Sequence, residues 1–197
     1  MRRRWLGPVA VAAATFATGC GTDDVRPLVI DERRGTVAGV GIGDKAAEIR
    51  RVFGERLFAN GGGLAPADSN FVEDGGPAVV RTPAPCNGRR SAPPLLRYDE
   101  VSFLFCGGRA YAFMVTGERA RTTAAAAIGD SLADAAARYG GRLSCRDDAP
   151  GGESPFGGQQ NYPYCVGRVA ASRWLWLGED ELGSIAVAST SLDPHGG

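Results

Sequence analysis

A chain of 197 residues with 22 basic and 22 acidic side chains carries no formal net charge and has no basic block to neutralise phosphates, so nucleic acid is excluded as an expected partner. Hydrophobic residues make up 44 % of it, enough for one core of ordinary size, and the inventory for metal or acid–base chemistry is one histidine, one lysine and five cysteines.

The first stretch, MRRRWLGPVAVAAATFATGC, has three arginines, an apolar run from Trp5 to Ala17, and then Thr18, Gly19 and Cys20. This is the layout of an export signal. The run is shorter than the roughly 20 residues a spanning helix needs, so a permanent transmembrane helix is not expected. Ala17-Thr18-Gly19-Cys20 resembles a bacterial lipobox, whose cysteine becomes lipidated; the alternative is ordinary signal cleavage that leaves Cys20 free. Parity favours lipidation, because five cysteines in an exported protein leave one unpaired. A single acyl chain binds a membrane only marginally, and the diacylglycerol modification that the lipobox implies supplies the further chains. Residues 1–19 are read as the lipoprotein signal peptide and 20–37 as a tether, with the membrane as a partner through lipidated Cys20. Loss of the three signal arginines leaves 19 basic against 22 acidic side chains.

IGDKAAEIRRVFGERL begins at Ile42 and IGDSLADAAARYGGRL at Ile128, 86 positions later. In the first, Ile49, Val52 and Phe53 form one stripe of an amphipathic helix that ends at Gly54. In the second, Ser131 and Asp134 make an S-x-x-D capping pair, Leu132, Ala135, Ala136 and Tyr139 make the stripe, and Gly140-Gly141 stop it. Asp44 and Asp130, at matching places, are expected to cap the helices and complement their dipoles. Gly39-Val-Gly-Ile-Gly43 fails the dinucleotide spacing, since Asp44 stands where the third glycine belongs.

After each helix comes a pair of strand-like runs: Tyr98 to Cys106 and Arg109 to Thr116 around Gly107-Gly108, then Ala171 to Leu177 and Leu182 to Thr190 around Gly178-Glu179-Asp180. The expected class is α+β, two tandem helix-plus-antiparallel-hairpin repeats with helices on one face of an antiparallel sheet. Residues 38–118 form the first repeat, 119–191 the second, and 192–197 a tail. Gly- and Pro-rich inserts, Asn60 to Pro94 and Asp147 to Gln160, read as loops with a short strand each, Ala78 to Arg81 and Arg142 to Cys145.

Cys86 and Cys106 lie in the first copy and Cys145 and Cys165 in the second, both pairs at the same separation. Of three connectivities, Cys86 to Cys106 and Cys145 to Cys165 is expected, because each bridge pins its own copy's loop to its sheet. Zinc is the alternative, but no Cys-x-x-Cys exists and an oxidising compartment favours disulfides. No metal or other cofactor is expected.

A helix begun through Gly-x-(Asp/Ser), closed by an aromatic and a glycine, followed by antiparallel strands and written twice, resembles the tandem-repeat β-lactamase inhibitor protein family. The single module is similar to small envelope lipoproteins of the SmpA/OmlA (BamE) type. The resemblance covers about Ala38 to Ser191. It implies a concave sheet surface whose aromatic residues grip a partner protein, a part open here to Trp174, Trp176, Phe103 and Phe105. The competing reading puts these four in the core, where aromatics bury large areas. Two departures stand: a lipobox is foreign to the soluble inhibitors, and both copies lack the proline that often follows the helix-ending glycine in the assembly lipoproteins. The inhibitors' target does not carry over.

Catalytic chemistry is thin. His195 is three residues from the end, and Lys45 is matched only by Ser131 in the other copy, which argues against a Ser-His, Cys-His or lysine mechanism. Paired carboxylates, for example Asp99-Glu100 or Glu179-Asp180-Glu181, are the remaining candidates, and such adjacent acids are usually solvated. The expectation is a non-enzymatic, lipid-anchored extracytoplasmic module that binds a protein partner and is capable of inhibiting it. A structural or assembly lipoprotein of the envelope and an extracytoplasmic carboxylate enzyme are the alternatives.

Overall fold

The computed structural model describes residues 27–54, 65–66, 94–98, 100–147, 163–179 and 181–190. The fold they form is mixed α+β, mostly antiparallel sheet with two short helices. Of the expected features, the signal, Cys20, Cys86, the strand at Ala78 to Arg81 and His195 lie outside the described residues.

Among the described residues twelve strands form two sheets. The smaller has the order β3-β2-β1-β8, built from β1 (Leu28–Asp31), β2 (Thr36–Val37), β3 (Val40–Gly41) and β8 (Ala120–Thr122), with β1 and β8 parallel. The larger has the order β4-β5-β6-β7-β12-β11-β10-β9 and every pairing in it is antiparallel. Its members are β4 (Ala65–Pro66), β5 (Pro94–Arg97), β6 (Val101–Cys106), β7 (Arg109–Val115), β9 (Ser144–Arg146), β10 (Tyr164–Ala170), β11 (Arg173–Gly178) and β12 (Ser184–Ala188).

Both anticipated hairpins are present. Gly107 and Gly108 take φ of 59° and 77° between β6 and β7, as a tight right-twisting hairpin turn requires. Each half of the large sheet also holds strands the hairpin reading did not contain. β10 pairs along its length with β11, and β5 extends the sheet beyond β6. Folded structure also starts earlier than the tether expected over 20–37: β1 begins at Leu28, and Ile30 and Val37 are fully buried.

Helix α1 (Ala46–Phe53) is amphipathic as its spacing predicts, with Ile49 fully buried, but Val52 of the expected stripe is exposed. About one turn past Ile49, Phe53 closes the stripe by packing on Tyr98 and Phe103, ring centroids 5.1 and 5.8 Å away. Helix α2 (Leu132–Ala137) buries Leu132 and Ala135, and Tyr139 follows in the closing turn, also buried. Its cap is the expected one: Ser131 Oγ accepts from the Asp134 amide at 3.1 Å and donates to Asp134 Oδ2 at 2.7 Å.

Asp44 and Asp130 do something other than the helix capping expected of them. Asp44 Oδ2 accepts from the Gly41 amide at 2.8 Å, and Asp130 Oδ2 accepts from the Ala127 amide at 2.9 Å. Each carboxylate reaches back three residues and closes the turn ahead of its helix, leaving the N-cap position to Lys45 and Ser131. The backbone around each turn is tied to the large sheet in the same way. The Gly43 amide donates to Ala110 O and the Ala110 amide to Asp44 O, at 2.8 and 2.9 Å; the Gly129 amide donates to Leu182 O and the Leu182 amide to Asp130 O, at 2.9 and 2.8 Å.

Alternation along the strands divides the large sheet's side chains between two apolar clusters. The first contains Phe103, Phe105, Phe113, Val115, Leu175, Leu177, Ile185 and Val187, joined by Ile49, Leu132 and Ala135 from the helices and Ile30 and Val37 from the small sheet. The second, on the other face, contains Leu95, Leu104, Tyr111, Ala112, Tyr164, Val166, Trp176, Ala186 and Ala188. A register shift between Leu104 and Phe105 turns Tyr111 to this second face rather than beside Phe113 and Val115. Burial of Phe103, Phe105 and Phe113 is complete or nearly so, and each such side chain contributes on the order of 1.5–3 kcal/mol.

Candidate functional site

Of the four aromatic residues the sequence offers as a gripping surface, two are on each face of the large sheet. Phe103 and Phe105 are sealed in the helix-side core, Phe103 with its ring centroid 5.8 Å from that of Phe113. Their burial fits the core reading and not the gripping surface that the resemblance implies. The reason is a one-residue offset between equivalent strands. Phe103 stands opposite Phe113 as Leu177 stands opposite Ile185, so Phe103 shares its face with Leu177, whereas Trp176 shares its face with Ser102. A shift of one position sends a side chain through the sheet.

Trp174 and Trp176 lie on the second face, as their spacing requires. Trp176 is buried; its indole lies along the sheet over Gly178, where any β-carbon would collide with it, and it stacks at 20° on Tyr164 with centroids 6.2 Å apart. Trp174 is only half-buried. Across the β10–β11 ladder from it stands Arg168, exposed, with its guanidinium carbon 5.3 Å from the indole centroid. At an exposed site such a cation–π contact contributes about 0.5–1 kcal/mol, and it holds the arginine over the ring. Trp174 is one of three partly buried apolar residues packed on this face, with Cys106 and Met114.

Tyr164 and Arg168 were missed because β10 was missed. Their signal is the alternation Tyr164, Val166, Arg168 directly after the Gly-rich insert, interrupted by Gly167. That glycine is needed because a β-carbon there would meet the carbonyl oxygen of Arg142, where the chain crosses towards β9.

β9 borders the same region. Its Cys145 faces Cys165 of β10 directly and is joined to it by a disulfide, the pairing expected for the second copy. Cys106 is also disulfide-bonded, and its expected partner, Cys86, lies outside the described residues. Ser144, Cys145 and Arg146 are all exposed, while Cys165 is buried.

The carboxylate candidates are dispersed. Glu100 takes a two-pronged ion pair from Arg119, at 3.1 Å from Nε and 2.6 Å from Nη2. Glu179 sits at φ 83°, its carboxylate folded over Gly183. Burial raises its pKa above the usual carboxylate range, an effect partly offset by a hydrogen bond with Ser184. Glu181 forms an isolated bridge with Ser131, and Asp99 and Asp180 lie outside the described residues. Among the described residues no three histidine, cysteine or acidic side chains come together as a metal site, and no helix is long and apolar enough to cross a membrane.

No protein-family model, no curated protein and no solved structure matches the chain.

Proposed function

We propose that this is a lipid-anchored extracytoplasmic protein-binding module, built by tandem duplication of one helix-and-sheet unit and acting through its partner rather than through catalysis. The address rests on the signal and lipobox ending at Cys20. Duplication is supported by the matched turns at Asp44 and Asp130, each tied by a reciprocal pair of backbone hydrogen bonds, to Ala110 in the first copy and to Leu182 in the second. The resemblance to the tandem-repeat inhibitors and the small envelope lipoproteins is of this architectural kind.

The observation that carries the binding reading is Trp174: a half-buried indole on the border of the second face, with an exposed guanidinium held over it. Tryptophan and arginine are the side chains most enriched where binding energy concentrates. The test is a cross-linking pull-down from native cells, comparing the anchored wild type with Trp174→Ala. A partner captured by the wild type and lost by a folded Trp174→Ala protein supports the reading; equal capture of every protein by both sinks it. The structural-lipoprotein reading is favoured instead if the anchored wild type captures no partner that Trp174→Ala loses.

A further inference from the structure

We propose that β9 is the docking edge of this module, and that an extended, acidic polypeptide segment adds to it as a ninth strand of the large sheet. The proposal rests on the protein-binding reading above and names the site and the partner's chemistry.

The sheets have four terminal strands, β3, β8, β4 and β9, and unpaired strand edges are templates for pairing that proteins ordinarily block. Three are blocked here. Within β3, the Gly41 amide is taken by the Asp44 carboxylate. Along β8, the chain folds back on itself: the Thr122 amide donates to Ala126 O and the Ile128 amide to Ala120 O, at 2.8 and 3.1 Å. β4 is two residues long and ends in Pro66, which has no amide hydrogen to offer.

Among the described residues, β9 carries none of these devices. It contains no proline, it pairs with β10 in continuous register, and all three of its residues are exposed. Instead it is fastened in an extended conformation by Cys145–Cys165. The two Cα atoms are 4.0 Å apart; facing residues of an antiparallel ladder are about 5.5 Å apart where they exchange hydrogen bonds and about 4.5 Å where they do not. Cys145 is therefore at a non-hydrogen-bonded position with respect to β10, and its amide and carbonyl point to the open side. A strand held extended before binding loses less entropy when a partner pairs with it, and strand addition to an exposed edge is an established mode of peptide recognition.

Charge selects the partner. No strand of the large sheet contains an acidic residue, and its last two strands supply Arg146 and Arg168, both exposed; Arg142 stands just before β9 and one acid, the exposed Asp147, just after it, which leaves the edge with a surplus of positive charge. A second copy fits poorly. Two β9 edges paired antiparallel about Cys145 would set their Arg146 side chains diagonally on one face, roughly 7–8 Å apart. An acidic extended segment meets the same arginines with attraction.

The test uses the exported, disulfide-bonded protein in detergent and two fluorescent probe peptides of alternating valine and glutamate or valine and lysine. By fluorescence anisotropy the glutamate probe binds at least ten-fold more tightly than the lysine probe, its affinity falls with salt, and the Cys145 amide resonance shifts on addition. Arg146→Glu, at an exposed position whose folding is checked by circular dichroism, abolishes or reverses that preference. Equal binding of both probes, no binding of either, or an unmoved Cys145 amide overturns the proposal. In the native pull-down, a partner lost with Trp174→Ala but kept by Arg146→Glu leaves the protein-binding reading standing and removes the edge; a partner lost with Arg146→Glu supports the edge.

Discussion

The hydroxyl of Tyr139, in the turn after α2, donates to Thr122 Oγ1 of β8 at 2.8 Å, while Thr122 Oγ1 also accepts the Ala126 amide at 3.1 Å. All of this is buried. Tyr98, buried against Phe53 and Phe103 at the equivalent end of α1, finds no hydrogen-bond partner for its hydroxyl among the described residues. Burial raises the pKa of both phenols, so each is neutral at ordinary pH and the contrast is one of hydrogen bonding alone.

Replacement by phenylalanine should therefore act in opposite directions. Tyr139→Phe removes a satisfied buried bond and is expected to cost about 0.5–1.5 kcal/mol. Tyr98→Phe removes an unsatisfied hydroxyl and is expected to leave stability unchanged or raise it by up to about 1 kcal/mol. Urea unfolding of the two variants decides; equal losses would mean that Tyr98 has a hydrogen bond.

Joining β9 to β10, the Cys145–Cys165 bridge closes a loop spanning 20 positions. Loop-closure reasoning gives such a bridge about 3 kcal/mol, with measured cases between 2 and 5. The double variant Cys145→Ala, Cys165→Ala should lose that amount, seen as a fall in unfolding midpoint in non-reducing buffer. Because Cys106 is in a second bridge, general reduction should cost more than the double variant. A double variant with wild-type stability would show that the bridge merely decorates the edge.

Much of this fold was legible in the sequence, and the failures have physical causes. The repeated phrase at Ile42 and Ile128 located both helices and both turns, because capping residues and glycine stops act locally. The β6–β7 hairpin was legible for the same reason: Gly107-Gly108 sets its own turn. β10 and β5 were not, since Gly167 breaks the alternation of one and Pro94 opens the other, and both are strands only because a neighbour pairs with them. β1 was hidden as tether, since three apolar residues beside charged ones reveal nothing of a parallel partner about 90 positions away. At the candidate site, Trp174 and Trp176 were placed correctly on one face, but the faces of Phe103 and Phe105 depended on a one-residue offset between copies that no local pattern carries.

Glu179 combines two unfavourable terms, a left-handed backbone and a desolvated carboxylate. Its folded-state pKa is raised above the unfolded value, so the folded state binds the proton more tightly. Stability from this group is fully present below the unfolded pKa of about 4.3 and is lost as pH rises through the raised folded value. Glu179→Gln should match the wild type near pH 4 and exceed it at pH 7. Glu179→Gly should add about 0.5–1 kcal/mol from the backbone at both. A pH-independent difference between wild type and Glu179→Gln would refute the assignment.

The matched turns make a paired prediction. Asp44→Ala and Asp130→Ala each remove one carboxylate acceptor from a backbone amide three residues earlier, at 2.8 and 2.9 Å. Each should cost about 1 kcal/mol. Asp130 also meets Arg138 at 3.2 Å, but that pair is partly exposed and adds at most a few tenths. Nearly equal losses, and near-additivity in the double variant because the sites share no partner, are what duplicated turns predict; a cost confined to one copy would show that the other has drifted to a different support.

Cys20 tests the address independently of the fold. With a lipidated Cys20 the protein should sediment with membranes and dissolve only in detergent, since two or more acyl chains hold where one does not. Cys20→Ser removes the acceptor sulfur and should move the protein to the soluble fraction with its unfolding midpoint unchanged, because among the described residues the core begins at Ile30 with Leu28 packed against it. If the variant stays with the membranes, the anchor lies elsewhere and the lipobox reading of Ala17 to Cys20 is wrong. If the variant is soluble but unfolds at a lower midpoint, Cys20 contributes to the fold, and its sulfur is then the one to compare with Cys86 as the partner of Cys106.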